Sequence, residues 1–455
     1  MHIVIIGAGS IGLHIASQLI TENKDIVLIE KNPERAKYVS NHLDCMVIND
    51  DGTNLDILKR AGIEKADFFI SVTDSDEVNM ISCGLVSSEF DVPYKIARVR
   101  NLDYSNTKIL DRSFLDIDFI VNPEVEAARV TGATVTSGAT SDIMIFEKTD
   151  IQVRNFFVES NSMFKDKTLK DIRMELKEDF LISAIVRKSS VIIPSGVTYV
   201  RENDTLYLVA TQKNLERVFL KLGKPVIQIK SVVIVGGGTI GRLVARDLLK
   251  IGYPVKIIEK NYEICKELSA QFEKSLVINA DISDEGIFEE ERLFDNDLII
   301  AATENQELNI LSAIYAKSLG VKRAIAIVSK SSYLTVASEL GIDSTISPKS
   351  SAADTILKYV RGSNIESIHS IFDGKAEVIE FTVGGDAPII NRPLKKIEMP
   401  DNSLIISVTR NNQSHIPGGD FMILSGDSVL IITKKKSIPK IEMMFTRANE
   451  LNPRY

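Results

Sequence analysis

The chain has 455 residues, with 54 Lys or Arg against 62 Asp or Glu, so its formal net charge is −8. This acidic balance argues against nucleic acid as a partner, because binding to a duplex backbone depends on clustered basic residues. The apolar runs, such as 232–235 and 298–302, are far shorter than the about 20 residues that a membrane-spanning helix needs. The length predicts about two to four globular domains, none of which crosses a membrane.

The N-terminus and the cysteines indicate a cytoplasmic protein. Residues 1–7 are typical of the first strand of a fold, because no basic start is followed by a long apolar stretch. Cys45, Cys83 and Cys265 stand apart in apolar segments, without a CxxC spacing. This pattern fits a reducing compartment and argues against a disulfide framework or a cysteine-based metal site.

Residues 1–122 are predicted to form a Rossmann-type domain. Short apolar runs alternate with longer amphipathic stretches, and the runs are 3–6, 26–29, 46–48, 68–72, 96–99 and 119–121. Strands that are apolar on both faces and are separated by helices indicate βαβ units and a parallel sheet. This number of strands in a stretch of this length fits one doubly wound α/β sheet.

The first strand leads into a glycine-rich loop with the spacing GxGxxG. Its residues are Gly7, Ala8, Gly9, Ser10, Ile11 and Gly12. In such a loop the first glycine allows a tight turn, the second lets the backbone approach a pyrophosphate, and the third lets helix and strand pack. The following helix N-terminus presents free N–H groups to phosphates. The alternative left open is that the glycines serve strand–helix packing alone.

An acidic residue, Glu30, ends the second predicted strand, 18 residues after Gly12. A carboxylate at this position accepts hydrogen bonds from ribose hydroxyls and repels a 2′-phosphate. We therefore expect NAD(H) or ATP/ADP rather than NADP. The next residue, Lys31, weakens that preference.

Further site residues follow from the position of ligands beyond the carboxyl ends of parallel strands. Asp51 and Thr53 follow the third predicted strand and are expected near the adenine. Val72 and Thr73 end the fourth and are expected over the sugar and phosphates. Arg98, in the fifth, is expected to meet an anion, which is either a phosphate or a neighbouring acid.

Residues 140–223 have a different pattern and are predicted to form a small α+β domain. Strands beside turn signals and short helices are predicted at 180–187, 205–209, 169–176 and 212–220. The segment 224–228, which carries Pro225, is predicted to be a short join between two halves of the chain.

The second half repeats this order. Residues 232–260 match residues 3–31 at an offset of 229, and the turn and last strand of the small domain recur at an offset of 223. A period above 200 residues indicates duplicated domains rather than a solenoid. We therefore predict a second Rossmann-type domain at 229–347 and a second small domain at 371–455.

The second glycine loop has the spacing of the first, and the match assigns its site residues. They are Gly236, Gly237, Gly238, Thr239, Ile240, Gly241, Glu259, Asp281, Ile282, Ala302 and Thr303. Ile327 stands where the first half has Arg98, so the two sites are not expected to be chemically equal. The sequence leaves open whether the second loop binds a nucleotide, since a duplicated half often keeps its fold and loses its ligand.

No catalytic arrangement accompanies the two loops. The five histidines fall in no Ser/His/Asp or HExxH setting, and the chain has no GxSxG, Walker lysine or zinc spacing. Hydride transfer needs a substrate pocket and usually an acid–base residue. The small domains are too short for an ordinary dehydrogenase substrate domain. The combination predicts a nucleotide sensor that is not an enzyme. No metal-ligating residues are predicted, and the sequence leaves open whether the small domains bind a small ligand or ion.

Several stretches resemble a known family. The most specific are SDEVNM at 75–80, IARVR at 96–100 with Asp103 and Tyr104, and VGGGTIG at 235–241. With the doubled domain order, they resemble the TrkA family of cytoplasmic nucleotide-binding regulatory subunits of bacterial Trk potassium uptake systems. Each Rossmann-type unit looks like an RCK (regulator of K⁺ conductance) N-terminal domain, and each small unit looks like an RCK C-terminal, or TrkA-C, domain.

The resemblance implies ligands and partners. NAD(H) would bind at residues 7–12, Glu30, Thr73 and Arg98, with ATP/ADP as competing regulatory ligands. The partner would be a membrane channel subunit of the TrkH or TrkG type, which holds the chain at the inner face of the cell membrane. The chain would form a homotetrameric gating ring that rearranges when a ligand binds.

Other classes of function are weighed against this one. A duplicated Rossmann fold also fits an NAD-dependent oxidoreductase, and RCK modules also serve other cation transporters. A redox-sensing transcription regulator would need a helix-turn-helix with a basic face, which no segment offers.

Overall fold

The computed structural model describes residues 1–105, 115–139, 143–146, 148–188, 190–223, 228–284, 286–361, 365–371 and 375–445. Some predicted features fall outside these residues: most of the join at 224–228, the start of the small domain at 140, and residues 446–455 of the last domain. The predicted domain boundaries stay predictions.

The first sheet is parallel throughout. Its strands are β1 (His2–Ile6), β2 (Asp25–Ile29), β3 (Met46–Ile48), β4 (Phe68–Ser71), β5 (Tyr94–Arg98) and β6 (Phe119–Val121). Its helices are α1 (Ser10–Thr21), α2 (Pro33–His42), α3 (Leu55–Arg60), α4 (Asp76–Glu89), α5 (Leu102–Ser105) and α6 (Pro123–Thr136). The strand order β3-β2-β1-β4-β5-β6 is that of a dinucleotide-binding fold, so the predicted Rossmann-type sheet is confirmed.

Continuous burial explains why these runs form a parallel sheet. Ile5 of β1 pairs with Leu28 on one side and with Ile70 on the other, and all three are fully buried. Strands with helices on both faces are expected to be apolar along their whole length. Polar caps then begin the helices beyond the strand ends, since the side chains of Asn32 and Ser75 accept from backbone N–H groups of α2 and α4.

The first small domain is an antiparallel sheet with two helices. Its elements are β7 (Ile143–Ile145), β8 (Ile151–Phe157), α7 (Leu169–Leu176), β9 (Leu181–Arg187), β10 (Ser190–Ile192), β11 (Thr205–Thr211) and α8 (Gln212–Lys221). The strand order is β10-β9-β11-β8-β7, which confirms the predicted α+β class.

The second half repeats both architectures. Its parallel sheet has the strands β12 (Val232–Val235), β13 (Val255–Glu259), β14 (Leu276–Asn279), β15 (Leu298–Ala301), β16 (Arg323–Ile327) and β17 (Ser344–Ile346). The helices are α9 (Thr239–Lys250), α10 (Tyr262–Gln271), α11 (Ile287–Glu290), α12 (Gln306–Ser318), α13 (Ser331–Glu339) and α14 (Pro348–Arg361). The order β14-β13-β12-β15-β16-β17 reproduces that of the first sheet.

The second small domain follows the same plan as the first. Its elements are β18 (Ile365–Ile371), β19 (Ala376–Thr382), β20 (Ser403–Arg410), β21 (Gln413–His415), β22 (Ser428–Thr433) and α15 (Ile438–Phe445). The order β18-β19-β22-β20-β21 matches that of β7 to β11 strand for strand. Across the described ranges, no helix is both long and apolar enough to span a bilayer.

The chain divides into two compact units. The first holds both parallel sheets and comprises 1–17, 25–141 and 227–356, and the second holds both antiparallel sheets and comprises 18–24, 142–226 and 357–455. Each unit contains a core that its two halves share. In the first unit, Ala128 and Val135 of α6 pack with Val244 of α9, so a helix of the first half is built into the second sheet's core.

Candidate functional site

The loop between β1 and α1 places its glycines under different steric demands. Gly7 has φ +99° and its N–H donates to the carbonyl oxygen of Ile29 at 2.9 Å. A Cβ on Gly12 would lie 2.0 Å from the carbonyl oxygen of Gly7, whereas a Cβ on Gly9 would meet no atom within 4 Å. Gly9 therefore presents bare backbone to open space, which is the feature that a close approach of phosphate requires.

A cleft of about 310 Å³ lies at this edge of the sheet, a size at the lower end of the range for ligand pockets. The predicted site residues that line it are Gly7, Gly9, Glu30, Asp51, Val72 and Thr73. A second cavity of about 340 Å³ lies beside it and is lined by Ala8, Gly9 and Ser10, among others. Of the remaining loop residues, Ile11 is buried in the core. The structure thus brings most of the predicted first-site residues together.

Glu30 holds the loop as well as lining the cleft. Its Oε2 accepts from the backbone N–H of Ala8 at 2.6 Å, and its Oε1 accepts from that of Asn32 at 2.8 Å. The residue is only 8% exposed, yet each carboxylate oxygen has a second lone pair for a further donor such as a ribose hydroxyl. The role in holding the backbone was not predicted from the sequence.

Asp51 and Lys31 form an ion pair on the wall of the cleft. The Nζ of Lys31 donates to Asp51 Oδ2 at 2.9 Å, and the backbone N–H and hydroxyl of Thr53 donate to Oδ1 at 3.0 and 2.8 Å. The hydrogen bonds from Lys31 and then from Thr53 lower the pKa of Asp51 to about 2. Lys31 is thereby engaged by an acid, and Thr53 acts on the site through Asp51.

An asparagine network at the ends of β4 and β5 was missed by the sequence reasoning. Asn79 is fully buried, and its Oδ1 accepts from the N–H and the hydroxyl of Thr73 at 2.8 and 2.7 Å. Its Nδ2 donates to the carbonyl oxygens of Thr73 at 3.1 Å and Arg98 at 2.9 Å. These bonds join the two strand ends that form one edge of the cleft. The recurrence of Asn79 as Asn309 was the signal that could have identified it.

Arg98 is held beneath this edge. Its Nη1 donates to the carbonyl oxygen of Thr73 at 2.8 Å and reaches Asp74 at 3.4 Å, and its side chain is 11% exposed. Its buried Nε has no hydrogen-bond partner among the described residues. Arg98 is not part of the cleft lining, and the anion that the structure places beside it is Asp74. Its contact with a phosphate stays a prediction.

The second loop has the same backbone geometry. Gly236 has φ +103°, and a Cβ on Gly241 would lie 2.0 Å from the Gly236 carbonyl oxygen. Glu259 accepts from the N–H groups of Gly237 and Asn261, both at 2.7 Å. A Cβ on Gly238 would meet no atom within 4 Å, as at Gly9.

The side chains around the second loop differ from those of the first. A Cβ on Gly237 would lie 2.5 Å from Leu268 Cδ1 and 3.0 Å from Ile264 Cγ2, so apolar side chains lie close to the loop. Ile282, Ala302 and Ile327 are buried, Ile240 packs against the core, and Thr239 begins α9. The backbone N–H and hydroxyl of Ser283 donate to Asp281, as those of Thr53 donate to Asp51, and Thr303 donates to Asn309 as Thr73 does to Asn79.

The chain has two parallel sheets with the strand order of a dinucleotide-binding fold. Each sheet carries a glycine loop and is followed by a small antiparallel domain, which is the architecture of a tandem Rossmann-type protein. The TrkA-N domain family matches residues 3–123 and 232–348, and the TrkA-C domain family matches 153–223 and 378–446. The chain belongs to the TrkA family, and the resemblance stated from the sequence is confirmed.

Curated relatives match along all or nearly all of their length. The Trk system potassium uptake protein TrkA homolog 1 of Methanosarcina mazei is 31% identical and covers 98% of this chain and 100% of its own. The TrkA homolog of Archaeoglobus fulgidus is 32% identical, with 98% of this chain and 100% of its own covered. The TrkA of Azorhizobium caulinodans is 31% identical, with 98% of each chain covered.

Solved structures with a similar fold include a channel and an RCK domain. The GsuK channel bound to NAD aligns with a TM-score of 0.54 at 17% identity, over 98% of this chain and 78% of that one. The GsuK RCK domain aligns with a TM-score of 0.54 at 17% identity, over 98% and 94% of the two chains. At this identity the likeness supports the fold, with RCK modules in tandem.

Proposed function

We propose that the chain is the regulatory, non-catalytic subunit of a Trk-type potassium uptake system. It binds NAD(H) and ATP/ADP and gates a K⁺-translocating membrane subunit of the TrkH or TrkG type. Family membership and the full-length relatives named as TrkA support the transport assignment. The single observation that carries the sensing role is the cleft in which Gly9, Glu30 and Thr73 converge at the carboxyl edge of the sheet.

The residues of the first site fit an adenine nucleotide. The free N–H groups at the start of α1 and the bare backbone of Gly9 suit phosphates. The free lone pairs of Glu30 suit the ribose hydroxyls, and the apolar wall at Val72 suits the base or sugar. Lys31 is engaged by Asp51, so it offers little to a 2′-phosphate, which favours NAD(H) and ATP/ADP over NADP.

The second loop is proposed as a second nucleotide site at residues 236–241 with Glu259, Asp281 and Thr303. Its repeated backbone geometry supports this assignment. The apolar side chains of Ile264 and Leu268 beside the loop indicate that its ligand, or its affinity, differs from that of the first site.

The mechanism proposed is conformational. A ligand shifts an equilibrium only by its different affinity for two states, and coupling of about 1–3 kcal/mol per site is usual. Because α6 of the first half packs on α9, which begins at the second loop, a shift of the second loop can be transmitted to the first half of the unit. A homotetrameric ring on the inner face of the membrane would sum these changes onto the channel subunit.

The test is a calorimetric titration of the purified chain with NADH, NAD⁺, ATP and ADP, repeated on Gly9→Asp and on Gly238→Asp. The Gly9→Asp change places a carboxylate in the open space of the first loop, so binding at that site should be lost. Loss only in this variant would place sensing in the first half, and loss of one ligand in each variant would indicate two sensors. If the wild-type chain binds none of these ligands, the nucleotide-sensing proposal is wrong.

Two further measurements separate this function from its competitors. An oxidoreductase would reduce NAD⁺ in the presence of alcohols, hydroxy acids or amino acids, which absorbance of the reduced cofactor reports, and we expect no change. The likeness to GsuK favours a second candidate, a regulatory subunit of another cation channel. Co-purification with a Trk membrane subunit, and nucleotide-dependent K⁺ flux in vesicles that contain both, would decide between them.

A further inference from the structure

Arg35 is a cation on the wall of the first site that the sequence reasoning did not identify. It is the third residue of α2, and it lines both the cleft and the adjacent cavity, which also share Gly9. Its side chain is exposed and makes no ion pair or hydrogen bond with the described residues. The two other cations near the cleft are engaged, Lys31 by Asp51 and Arg98 by Thr73 and Asp74.

The charge balance of the cleft gives Arg35 its importance. The carboxylates that line the cleft are those of Glu30, Asp50, Asp51 and Asp74. A nucleotide adds phosphate charge to this acidic surface, so it needs cationic compensation beyond the N–H groups of α1. The guanidinium of Arg35 is uncommitted and can form paired hydrogen bonds with phosphate oxygens.

The adjacent cavity indicates which phosphate Arg35 contacts. Ala8, Gly9 and Ser10 of the first loop line it, together with Glu34 and Tyr38. A terminal phosphate that continues past the loop would enter this space beside Arg35. In NAD(H) both phosphates are esterified on each side, so its diphosphate carries less charge than the end of ADP or ATP.

The second half provides an internal comparison. The residue that corresponds to Arg35 is Ile264, and the residue that corresponds to Arg98 is Ile327. The site with the same loop, the same glutamate and the same asparagine therefore has isoleucine in place of both arginines. A residue needed only for the fold of the loop would be expected in both halves.

We propose that Arg35 determines the ligand preference of the first site by binding the terminal phosphate of a nucleoside di- or triphosphate. The inference rests on the proposed function, because it presupposes that the first cleft takes an adenine nucleotide. Arg35 favours ADP and ATP over NAD(H) there, whereas the second loop lacks this discrimination.

The test uses the full chain with Gly238→Asp, so that the second loop does not contribute. This Gly238→Asp chain is the parent chain. Adenosine, AMP, ADP, ATP and NADH are titrated into the parent chain and into versions of it with Arg35→Gln or Arg35→Lys. The matched control is Lys37→Gln, which removes one positive charge from the same helix at an exposed residue outside both cavities. Thermal unfolding of each variant checks that the fold is unchanged.

We expect Arg35→Gln to weaken the binding of ADP and ATP by about tenfold, which is the lower end of the range for a hydrogen bond to a charged group. The affinity for NADH should fall by less than about threefold, and the affinity for adenosine should be unchanged. Arg35→Lys should recover part of the lost affinity for ADP and ATP. The loss should shrink as salt rises from about 0.05 to 0.5 M, since an exposed charge contact is screened. Lys37→Gln should bind every ligand as the parent chain does.

Three outcomes would overturn the inference, and they differ in what else they affect. Equal weakening of adenosine and ATP binding would mean that Arg35 contacts the adenosine part of the ligand rather than a phosphate. Unchanged binding in Arg35→Gln, with binding intact in the parent chain, would remove Arg35 from the site and leave the proposed function standing. Absence of binding in both the parent chain and the wild type would refute the proposed function itself.

Discussion

Substitution of two glycines in the first loop by alanine should give opposite results. In Gly12→Ala the new methyl carbon would lie 2.0 Å from the Gly7 carbonyl oxygen and 3.4 Å from Val72 Cγ2. In Gly9→Ala the new methyl carbon would meet nothing within 4 Å, and Gly9 does not have a left-handed φ. We therefore expect Gly12→Ala to destabilise the fold and Gly9→Ala to affect the ligand alone.

The geometry sets the size of the effect at Gly12. A methyl carbon 2.0 Å from a carbonyl oxygen must move away by more than about 1 Å to reach ordinary van der Waals contact. The oxygen belongs to Gly7, whose N–H is fixed to Ile29, so backbone rather than a flexible side chain has to move. Overpacking of this kind costs about 1–3 kcal/mol, and we expect the upper part of that range. For a unit of this size, the midpoint of thermal unfolding should fall by about 5–10 °C.

Gly9→Ala should keep the wild-type unfolding temperature within about 2 °C, since exposed changes usually alter stability by less than about 0.5 kcal/mol. Its methyl group stands in the space that a phosphate would occupy, so ATP and NADH should bind at least tenfold more weakly, or about 1.4 kcal/mol.

Scanning calorimetry and nucleotide titration on both variants provide the assay. Gly241→Ala and Gly238→Ala are the matched pair in the second half, with contacts of the same kind. An unchanged melting temperature in Gly12→Ala would refute the steric argument. Wild-type binding in Gly9→Ala would show that no ligand approaches the backbone at Gly9.

Two predictions concern buried polar groups. Burial raises the pKa of Glu442 to about 7, with charged neighbours at Lys24, Glu22, Arg361 and Glu377. The folded chain then holds a proton that the unfolded chain releases, so the free energy of unfolding falls by up to about 3 kcal/mol as pH rises from about 4.5 to 7. In Glu442→Gln, the free energy of unfolding measured with urea should depend less on pH over this range. An unchanged pH dependence in this variant would contradict the prediction. Asn79→Asp removes the donor to the carbonyls of Thr73 and Arg98 and should destabilise by about 1–3 kcal/mol. Urea unfolding measures this loss, and Asn309→Asp is the matched variant in the second half. If neither variant lowers the free energy of unfolding, the prediction is wrong.

The strands were predictable because burial on both faces leaves a continuous apolar run. The fifth strand shows the limit of that signal. Its apolar run predicted a strand that starts at Ile96, whereas β5 begins at Tyr94. The prediction started too late because Lys95 is charged, so it interrupts the apolar pattern although it is buried in the fold. Its ammonium group pairs with Asp116 at 3.0 Å and Asp118 at 3.5 Å. Partners that lie more than 20 residues away in sequence could not be read from the local pattern.

The candidate site was predictable as far as backbone position goes. The loop spacing and Glu30 located the cleft, because a glycine turn and a strand end have fixed places in this fold. The direction of each side chain depends on tertiary contacts, which the spacing does not contain. Arg98 was predicted to meet either a phosphate or a neighbouring acid. Its guanidinium donates to the Thr73 carbonyl oxygen and lies beside Asp74, and its contact with a phosphate stays a prediction. Arg35 lies on a helix that the strand-end rule does not reach.

Comparison of the two halves distinguishes residues that hold the glycine loop in place from residues that can contact a ligand. Gly12, Glu30 and Asn79 have counterparts in the second half that make the same backbone contacts. These residues are explained by the geometry of the loop whether or not a nucleotide binds. Arg35 and Arg98 differ from these residues, because neither side chain holds the glycine loop in place. Both are isoleucine in the second half, where Ile327 is buried in the core and Ile264 packs against it. A difference in ligand between the two halves is therefore expected to depend on these two positions rather than on the motif that both halves share.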